Sequence, residues 1–475
     1  MAAMEQFSDS EIYSIFVRGL DGQGIEILTA GDEGYEESIK RWSEAAEKPA
    51  AAVLLPQTAE HVSAIVKIAT SSNIEFVVCC GRHSTGGASS IDHGIVIDLR
   101  NMNRVVVDAE KKTLKVGGGC TWADVDKEAA RFGLATVGGT VNHTGVGGLI
   151  LGGGWGWLSP RYGLTIDNLL SADVVTSDGS ILHCSSTSNE DLFWAIRGAG
   201  SSFAIVTSFE LQAHPQPTPV WAGTLVFTPD KLAQLTDFAN LHHEKAEDEA
   251  MIFGYMCAPP TFTPMIMAVI FFNGTEQDGR SYFADLLAIG PVLDMTRTMP
   301  YEEVNAMFND AATFGDRKSS GASAITYPLT LPLFQEIFDS YSAFINENRT
   351  AGVETSIVLF SMIPYKKILS VPLEATAFGS RGEYYNAELL LRWKDPGFDG
   401  KARQFNRAMN MRIRELGGVG KDRGVGNYAN NIEYQVDPKR VFGVNTARLR
   451  SLKGVYDPQN RFRKWHDVLY EERVD

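Results

Sequence analysis

The chain has 475 residues, of which 44% are hydrophobic and 21% charged, as in an ordinary soluble globular protein with room for two domains. Its 43 basic residues against 58 acidic ones give a net charge of −15, which argues against nucleic acid or an anionic membrane as a partner. The five cysteines, including adjacent Cys79 and Cys80, have no metal-binding spacing and indicate reduced thiols.

Neither end of the sequence contains a recognisable targeting signal. Residues 1–16 lack the basic and then apolar stretch of a signal peptide, and the final EERVD is not a peroxisomal signal. No apolar run reaches the roughly 18 residues that span a bilayer. We therefore expect a cytoplasmic protein that does not contact a membrane.

The first predicted elements alternate between helix and strand. Residues 35–47 have the pattern of a short amphipathic helix, and residues 51–56 that of a buried strand. Residues 58–73 have apolar side chains at helical spacing, and residues 76–80 form a second apolar run. This order predicts a strand–helix–strand unit.

Shorter strands follow, and the composition then changes. Residues 94–120 contain three short strand patterns, and residues 169–184 alternate as in a hairpin around Asp178-Gly179. The proline-rich seam at 214–220 is a candidate domain boundary. Beyond it, strands separated by long helical stretches predict an antiparallel sheet with helices on one face.

Glycine-rich segments point to a phosphate-bearing ligand. Residues 138–157 contain nine glycines, a first loop holds Gly81, Gly86 and Gly87, and a third holds Gly198 and Gly200. Exposed N–H groups in such turns form concave anion sites suited to the pyrophosphate of a dinucleotide. Neither the Rossmann fingerprint nor a P-loop is present, so the cofactor would be held in another way.

Four segments together resemble one enzyme family. They are GRHSTGGASS, GGTVNHTGVGGLILGGGWGWLSPRYGLTIDNL, DLFWAIRGAGSSFAIVTSFEL and the C-terminal NYANN with LRSLKGVYDPQNRF. In this order they are similar to the flavin-dependent oxidoreductases of the vanillyl-alcohol oxidase (PCMH) superfamily, in the berberine-bridge-enzyme-like branch that includes 6-hydroxynicotine-oxidase-like enzymes. The resemblance covers nearly the whole chain.

The resemblance implies a two-domain α+β fold. An FAD-binding domain of PCMH type would comprise residues 1–213 and be completed by a berberine-bridge-like segment, residues 411–475. Residues 214–410 would form the substrate-binding domain with its antiparallel sheet. The flavin ring would lie between the two, where pockets tend to form.

His83 occupies the position at which covalent family members bond a histidine to the 8α carbon of the flavin. A neutral imidazole is a nucleophile, and the bond would make the flavin more oxidising; a turn histidine bonded to backbone is the alternative. Cys79 and Arg82 depart from the family's Arg-x-Gly-Gly-His. Arg82 could approach the pyrophosphate, approach another fixed anion, or point to solvent.

The second glycine-rich loop implies a single covalent bond. Val141 stands where some relatives have a cysteine that forms a second link, so we expect FAD to be attached through His83 only. His143 is interpreted as a residue that organises the loop. Thr144 occupies a position that the family links to the access of oxygen to the flavin. A polar β-branched residue at this position does not decide whether oxygen has access.

Glu388 is the candidate general base. In residues 382–393 it shares one strand face with Tyr384, Asn386 and Leu390, and it lies five residues before Trp393, like the family's base. A buried carboxylate would have a raised pKa, useful for proton abstraction. The alternative is a solvated glutamate at an edge.

The C-terminal NYANN implies a second catalytic residue. Tyr428 and Asn430 match a Tyr-x-Asn that lines the flavin, whereas Asn431 stands where the family often has tyrosine. Asn460 and Phe462 lie in a turn that relatives pack against the cofactor, although ordinary turn chemistry also explains them. The resemblance implies cofactor contacts from Gly81, Arg82, His83, Ser84, Thr85, Gly86, Gly87, Gly139, Thr140, His143, Thr144, Gly147, Gly148, Gly153, Gly154, Asn168, Gly198, Gly200, Ile205, Asn430 and Asn460.

No metal site is expected. His242 and His243 are adjacent in a predicted helix and would point about 100° apart, which favours a solvated helix face over metal binding.

The predicted function is oxidation of a small organic alcohol, amine or secondary-metabolite intermediate. Glu388 would take a proton while a hydride passes to flavin N5, and dioxygen would reoxidise the flavin to give hydrogen peroxide. One alternative is an FAD-containing cyclase with oxidative or net non-redox ring formation, and another is a flavin-binding protein with little catalysis. We expect small-molecule partners only, and a monomer or homodimer.

Overall fold

A computed structural model describes residues 7–216, 219–419 and 427–471. The predicted boundaries at 213/214 and 410/411 remain predictions, and residues 1–6, 217–218, 420–426 and 472–475 lie outside the described chain. The helices are α1 (Asp9–Gly19), α2 (Tyr35–Ile39), α3 (Ala59–Ser71), α4 (Trp122–Ala130), α5 (Val146–Leu151), α6 (Ser159–Tyr162), α7 (Glu190–Ala199), α8 (Leu232–Lys245), α9 (Glu276–Tyr282), α10 (Ala284–Ala288), α11 (Leu331–Glu347), α12 (Lys366–Leu369), α13 (Asp399–Leu416), α14 (Pro438–Phe442) and α15 (Thr446–Tyr456).

The strands form two sheets in the N-terminal part, a large sheet in the middle and a two-stranded pair. They are β1 (Glu26–Leu28), β2 (Ala52–Leu55), β3 (Phe76–Cys79), β4 (Ile95–Asp98), β5 (Val105–Asp108), β6 (Thr113–Gly117), β7 (Leu134–Ala135), β8 (Leu169–Val175), β9 (Ile181–Ser185), β10 (Ile205–Gln212), β11 (His214–Pro215), β12 (Val220–Phe227), β13 (Ala250–Ala258), β14 (Thr263–Phe272), β15 (Leu293–Asp294), β16 (Arg297–Met299), β17 (Arg317–Ile325), β18 (Ile357–Met362) and β19 (Tyr385–Trp393).

The first sheet has the order β1-β2-β4-β3, with β2 and β3 both parallel to β4. The predicted strand–helix–strand unit, β2-α3-β3, is confirmed, and β4 inserts between its two strands. Helix α3 begins where the Thr58 hydroxyl accepts the backbone N–H of His61. Its apolar stripe, including Val62, Ile65 and Val66, is fully buried beneath the sheet.

The second sheet is antiparallel, with the order β5-β6-β10-β8-β9. The predicted hairpin at Asp178-Gly179 is confirmed as the connection between β8 and β9. Gly179 has φ +80°, a conformation that glycine adopts without steric cost.

The large sheet runs β15-β12-β14-β13-β18-β19-β17, and β16 also pairs with β12. Its pairs are antiparallel, and α8, α11 and α13 pack on one face, as the sequence predicts. The other face packs on the N-terminal part of the chain. On β13, for example, Phe253 and Tyr255 point to the helices and Ile252 to the opposite side.

The C-terminal residues 427–471 pack against the N-terminal sheets, and Leu449 and Val468 join the apolar core that contains β6, β8 and β10. A fully buried ion pair, Lys453 Nζ to Asp457 Oδ2 at 2.7 Å, organises the turn after α15. Lys453 also donates to the carbonyl oxygens of Ser202 and Phe462, so its three protons all have acceptors. Within the described ranges, no helix is long and apolar enough to cross a membrane.

Two sequence predictions need correction. The helix expected at 35–47 ends at Ile39, because Arg41 turns inward and donates to Ser89 O and to Ser90 Oγ at 3.0 Å. The expected solvated face at His242 and His243 is also wrong. His242 is fully buried against Phe283, and His243 stacks on a tyrosine ring.

Candidate active site

A cavity of about 360 Å³ lies where the two N-terminal sheets, the large sheet and the C-terminal segment meet. Its walls come from the loops at 80–89 and 139–149, from β10, and from the face of the large sheet turned away from its helices. Residues 428–432 and 461–465 complete it.

The two glycine-rich loops touch each other backbone to backbone. A Cβ at Gly81 would lie 2.0 Å from the nitrogen of Gly145, and one at Gly145 would lie 2.3 Å from the nitrogen of Gly81. The Cys80 thiol packs under this contact and donates to Cys120 O at 3.4 Å. Glycine is therefore required at both positions by the close approach of the loops.

The adjacent cysteines are neutral thiols. Cys79, the last residue of β3, is fully buried in the core, and burial raises the pKa of its thiol to about 12. Burial likewise raises the pKa of the Cys80 thiol to about 11. Both side chains remain neutral thiols at physiological pH; Cys79 is a small packing group, and the half-buried Cys80 lines the cavity.

The first loop, residues 81–90, offers unpaired donors to a ligand. No acceptor in the described parts of the chain pairs with the backbone N–H of His83, Ser84, Thr85 or Gly86. The buried hydroxyl of Ser89 also lacks a partner within the described ranges. Together with the elongated cavity, these groups fit a phosphate-bearing cofactor.

His83 lies at the cavity wall within a cluster of rings. Its Nε2 is 2.8 Å from Nδ1 of His143, and its ring stacks on Trp42 at 4.8 Å between centroids. The Phe314 ring meets His83 edge-on at 5.8 Å. Burial, reinforced by His143, holds the pKa of His83 well below its usual value, and burial also lowers the pKa of His143. Both imidazoles are therefore neutral at physiological pH.

Arg82 binds a fixed anion of the protein. Its guanidinium donates to Glu37 O at 2.9 Å and lies 3.6 Å from the Glu37 carboxylate, while its face covers the Phe314 ring. Pyrophosphate, another fixed anion and solvent were the three expected surroundings of this side chain. The structure shows the second, because Arg82 pairs with the carboxylate of Glu37. Its backbone has φ +64°, a left-handed conformation that is uncommon for a residue other than glycine.

Glu388 projects from β19 into the cavity, while Tyr385, Ala387 and Leu389 point to the helix-covered core. The Ser320 hydroxyl, on the adjacent strand β17, donates to its Oε1 at 2.8 Å, and the Asn431 amide also donates to it. Burial nevertheless raises the pKa of Glu388, because these two hydrogen bonds only partly offset desolvation of the carboxylate.

Tyr428 lies in the same cavity. Asn430 Nδ2 donates to the Tyr428 hydroxyl at 2.9 Å and to Leu149 O at 3.0 Å, so that Asn430 joins the second glycine loop to the tyrosine. Burial raises the pKa of Tyr428, and the Glu388 charge adds to this effect. The phenol therefore stays protonated.

Most predicted site residues converge on this one cavity. They are separated by more than 300 positions in the sequence, and the fold brings them together. Those that line it are Gly81, Arg82, His83, Ser84, Thr85, Gly86, Gly139, Thr140, Thr144, Gly147, Gly148, Ile205, Glu388, Tyr428 and Asn430.

Several glycines predicted to contact the cofactor pack closely against protein, and their contact with the cofactor stays a prediction. A Cβ at Gly153 would meet the Phe378 ring, one at Gly154 the Thr165 hydroxyl, and one at Gly198 the Phe378 backbone. A Cβ at Gly200 would meet Leu151. Gly87, with φ +76°, forms the turn of the first loop and does not line the cavity.

Three polar residues predicted to contact the cofactor have hydrogen-bond partners within the protein, and their contact with the cofactor stays a prediction. Asn168 donates to Tyr162 O and Leu164 O and bonds to His214. Asn460 donates to Asp467 and has the left-handed φ typical of a turn asparagine. His143 does not line the cavity and reaches it only through His83.

Residues that the sequence does not identify surround the predicted ones. Trp42, Trp155, Phe308 and Ser320 line the cavity, and Lys318 lies behind Trp42. Trp155 stands in the second glycine-rich segment, whereas the others stand in stretches without a motif, and their place follows only from long-range packing. The signal available for Ser320 was the alternation of a strand that pairs with β19.

Comparison with known proteins agrees with this geometry. The profile of the FAD binding domain family matches residues 50–185, and the profile described as berberine and berberine like matches residues 427–468. An FAD-linked oxidoreductase of Aspergillus terreus is 34% identical over 93% of this chain and 92% of its own length.

A bacterial enzyme of known structure is also similar. The (R)-6-hydroxynicotine oxidase of Paenarthrobacter nicotinovorans is 27% identical over 93% of this chain and 96% of its own. The crystal structure of 6-hydroxy-D-nicotine oxidase from Arthrobacter nicotinovorans superposes with a TM-score of 0.82 at 26% identity, covering 94% of this chain and 98% of that one. The fold, the matched segments and these relatives agree: the chain belongs to the berberine-bridge-enzyme-like family of FAD-linked oxidoreductases.

Proposed function

We propose that this enzyme oxidises a small, uncharged and largely apolar molecule at a carbon bearing a hydroxyl or amine, with dioxygen as the acceptor and hydrogen peroxide as the second product. The observation that carries the proposal is Glu388, a carboxylate with a raised pKa in a cavity between the cofactor loops and the large sheet. The flavin, when bound, supplies the ring that accepts a hydride.

Glu388 removes the proton from the substrate hydroxyl or amine. Ser320 and Asn431 hold the carboxylate in place by donating to it, so that a lone pair faces the cavity. The raised pKa makes Glu388 a stronger base than an exposed glutamate. Asn430 orients the neutral Tyr428 phenol beside it.

The wall around Glu388 supports the proposed substrate class. The large sheet contributes Ile252, Ile357, Leu359 and Leu390, with Glu388 as its single ionisable side chain at the cavity. Phe308 and Trp155 add aromatic surface. Among the described residues, the large sheet places no cation beside Glu388 at the cavity, so the carboxylate opposes an anionic group held against this wall.

The base is tested with Glu388→Gln, which keeps the size of the side chain but cannot accept a proton. We expect anaerobic flavin reduction to slow at least tenfold, because general base catalysis accelerates a reaction by roughly 10²–10⁴-fold. Glu383→Gln, at an exposed site on the same stretch, is the matched control and should reduce at the normal rate. An unchanged single-turnover rate in Glu388→Gln would contradict the assignment.

The same anaerobic experiment separates oxidation from ring formation. Oxidation bleaches the flavin as substrate is consumed, whereas a net non-redox cyclase forms product and leaves the flavin absorbance unchanged.

We further propose that FAD is bonded to the protein through His83 alone. The neutral imidazole at the cavity wall supports this, because only the unprotonated ring is nucleophilic. Acid-precipitated protein should be yellow and heavier by one FAD. His83→Ala should lose this mass, and the exposed His183→Ala control should keep it. A colourless wild-type pellet would refute the bond.

A further inference from the structure

A second cavity, of about 30 Å³, adjoins the one that Glu388 lines. Trp155 and Tyr428 line both cavities, so the two spaces share a wall. Most of the wall of this small cavity is formed by β18, by the connection from β18 to β19, and by β19 itself. A site needs roughly 10–15 Å³ to hold a water molecule, so the small cavity has room for a hydroxyl group of a ligand.

The wall of the small cavity is largely apolar. Its apolar part consists of Trp155, Leu164, Ile363, Ile368 and Phe378. The Tyr384 hydroxyl in this wall donates to Ser380 O, and the Tyr428 hydroxyl accepts from an asparagine amide. Among the described residues, no carboxylate, ammonium, guanidinium or imidazole group lines the small cavity, so it suits an uncharged group better than an ion.

Asn386 and Ser361 bring an amide and a hydroxyl group to this wall. Asn386 lies on β19 two residues before Glu388, and therefore on the same face of the strand. Ser361 of β18 is paired directly opposite Asn386 in the sheet. Directly paired residues have Cβ atoms about 4.5–5.5 Å apart on one face, so both side chains can contact the same ligand atom.

Neither of these two side chains forms a hydrogen bond with another residue in the described parts of the chain. Oδ1 of Asn386 is buried, and Ser361 is only 5% exposed. Buried polar groups are nearly always hydrogen-bonded, because leaving one without a partner is unfavourable. An unpaired amide beside an unpaired hydroxyl therefore indicates a ligand group that both donates and accepts hydrogen bonds.

The register of the sheet fixes how far this pair lies from Glu388. A strand rises about 3.4 Å per residue, so Asn386 lies about 7 Å along β19 from Glu388. Leu359 is paired with Glu388, and Ile252 is paired with Ser361. Both of these apolar side chains line the larger cavity, so an apolar ligand body can lie against the sheet between the two polar points.

We propose that the small cavity is a second subsite for the substrate, in which Asn386 and Ser361 bind an uncharged hydroxyl group about 7 Å from the carbon that is oxidised. This inference rests on the proposed oxidation at Glu388. The substrate class is then a molecule with two polar ends joined by an apolar body. Asn386 is a specificity-determining residue, because an analogue without the second hydroxyl would leave its amide unpaired.

The test uses two probes that differ by one hydroxyl group, 1,4-benzenedimethanol and 4-methylbenzyl alcohol. Each is mixed without oxygen with the flavin-loaded wild type and with the variants Asn386→Leu and Ser361→Ala. The shift of the flavin spectrum before any bleaching measures binding, and later bleaching measures oxidation. Asn346→Leu, the same substitution at an exposed site on α11, is the matched control.

We expect wild type and the control to bind the diol at least tenfold more tightly than the methyl compound. Asn386→Leu should lose this preference by weakening the diol alone, and Ser361→Ala should reduce it at least threefold. Because the Asn386 amide has no partner within the described ranges, Asn386→Leu should not lower the denaturation midpoint. A lost preference in a protein of unchanged stability reports the subsite and not a folding defect.

The outcomes separate the subsite from the proposed oxidation. A preference for the diol without bleaching would support the subsite and count against oxidation of the alcohol. Bleaching by both probes with equal affinity would leave the oxidation standing and overturn the subsite. The subsite is also overturned if wild type binds neither probe, or if both variants keep the preference, since the polar pair then holds only water. Ser361→Ala decides the matter if Asn386→Leu does not fold.

Discussion

At the scale of single residues, the properties of Glu388 depend on two opposing effects. Burial raises its pKa, and hydrogen bonds from Ser320 and Asn431 lower it again. A hydrogen bond to a charged group contributes about 1.5–3 kcal/mol. The Ser320 hydroxyl, 2.8 Å away, is therefore placed to tune the pH at which the base becomes active.

Replacing Ser320 by alanine should shift the pH dependence of flavin reduction. Without the donor, the pKa of Glu388 rises further, and because the base acts in its ionised form, the half-maximal rate moves to higher pH by roughly 1 unit. Ser323→Ala is the matched control on the same strand, since that hydroxyl donates to Asn410 O and not to Glu388. Stopped-flow reduction measured across pH checks the shift. An acid shift, or an unmoved profile, would show that Ser320 does not stabilise the carboxylate.

At the scale of elements, strand patterns were predictable where the cause is local. The alternation in β19 places Glu388 on one face and Ala387 and Leu389 on the other because successive side chains of a strand point in opposite directions. The hairpin between β8 and β9 also has a local cause, because Gly179 of its Asp-Gly turn adopts a positive φ without steric cost.

Other elements depended on partners that the sequence does not identify. The helix predicted at 35–47 is interrupted because Arg41 finds acceptors at Ser89 and Ser90. His242 is buried because Phe283 packs against its ring. A hydrophobic pattern indicates which face of a helix is apolar, but it does not show what will cover the other face.

The glycine-rich loops show the same division. The high density of glycine correctly indicates that the backbone of these loops comes close to another group. It does not indicate whether that group belongs to a ligand or to the protein. Gly81 meets the backbone of Gly145, while Gly153 and Gly198 meet Phe378. A resemblance to a family could place His83 and Glu388, whereas the His83–His143 bond depends on how the two loops pack in this chain.

At the scale of the whole molecule, the segment after β16 connects the large sheet to the N-terminal part. Asn305 donates to Asp126 of α4 at 2.9 Å, Asn309 donates to Asn142 at 2.7 Å, and Trp42 donates to Ala312 O at 2.6 Å. Phe308, Ala311 and Ala312 of this segment also line the cavity. Packing between the two parts and the shape of the site are therefore coupled.

Asp126 makes this contact sensitive to pH. It is almost fully buried, its Oδ1 has no partner in the described ranges, and burial raises its pKa to about 7, with the Glu302 charge adding to the effect. The nearby Tyr301 phenol is also buried and stays neutral because its pKa is raised. In the unfolded chain the carboxyl would titrate near its ordinary value of about 3.9.

Proton binding by Asp126 determines how this carboxyl changes the stability of the protein with pH. Between the unfolded and folded pKa values the folded protein holds a proton that the unfolded chain has released, so this group lowers the free energy of unfolding as pH rises from about 4 to about 7. The full effect is up to roughly 4 kcal/mol, at about 1.36 kcal/mol for each unit. Above the pKa of the folded state the carboxylate is ionised in both the folded and the unfolded protein, and the free energy of unfolding lost through this group no longer changes with pH.

Asp126→Asn keeps the shape and removes the titration. We expect the variant to be similar to wild type in stability near pH 4 and increasingly more stable than wild type as the pH approaches 8. The difference between their denaturation midpoints, measured across this range, isolates Asp126 from every other titrating group. Glu128→Gln on the same helix, where Glu128 pairs with Arg131 at the surface, should show no such trend. A difference between Asp126→Asn and wild type that does not change with pH would mean that the buried carboxyl is already ionised when the two parts of the molecule pack together.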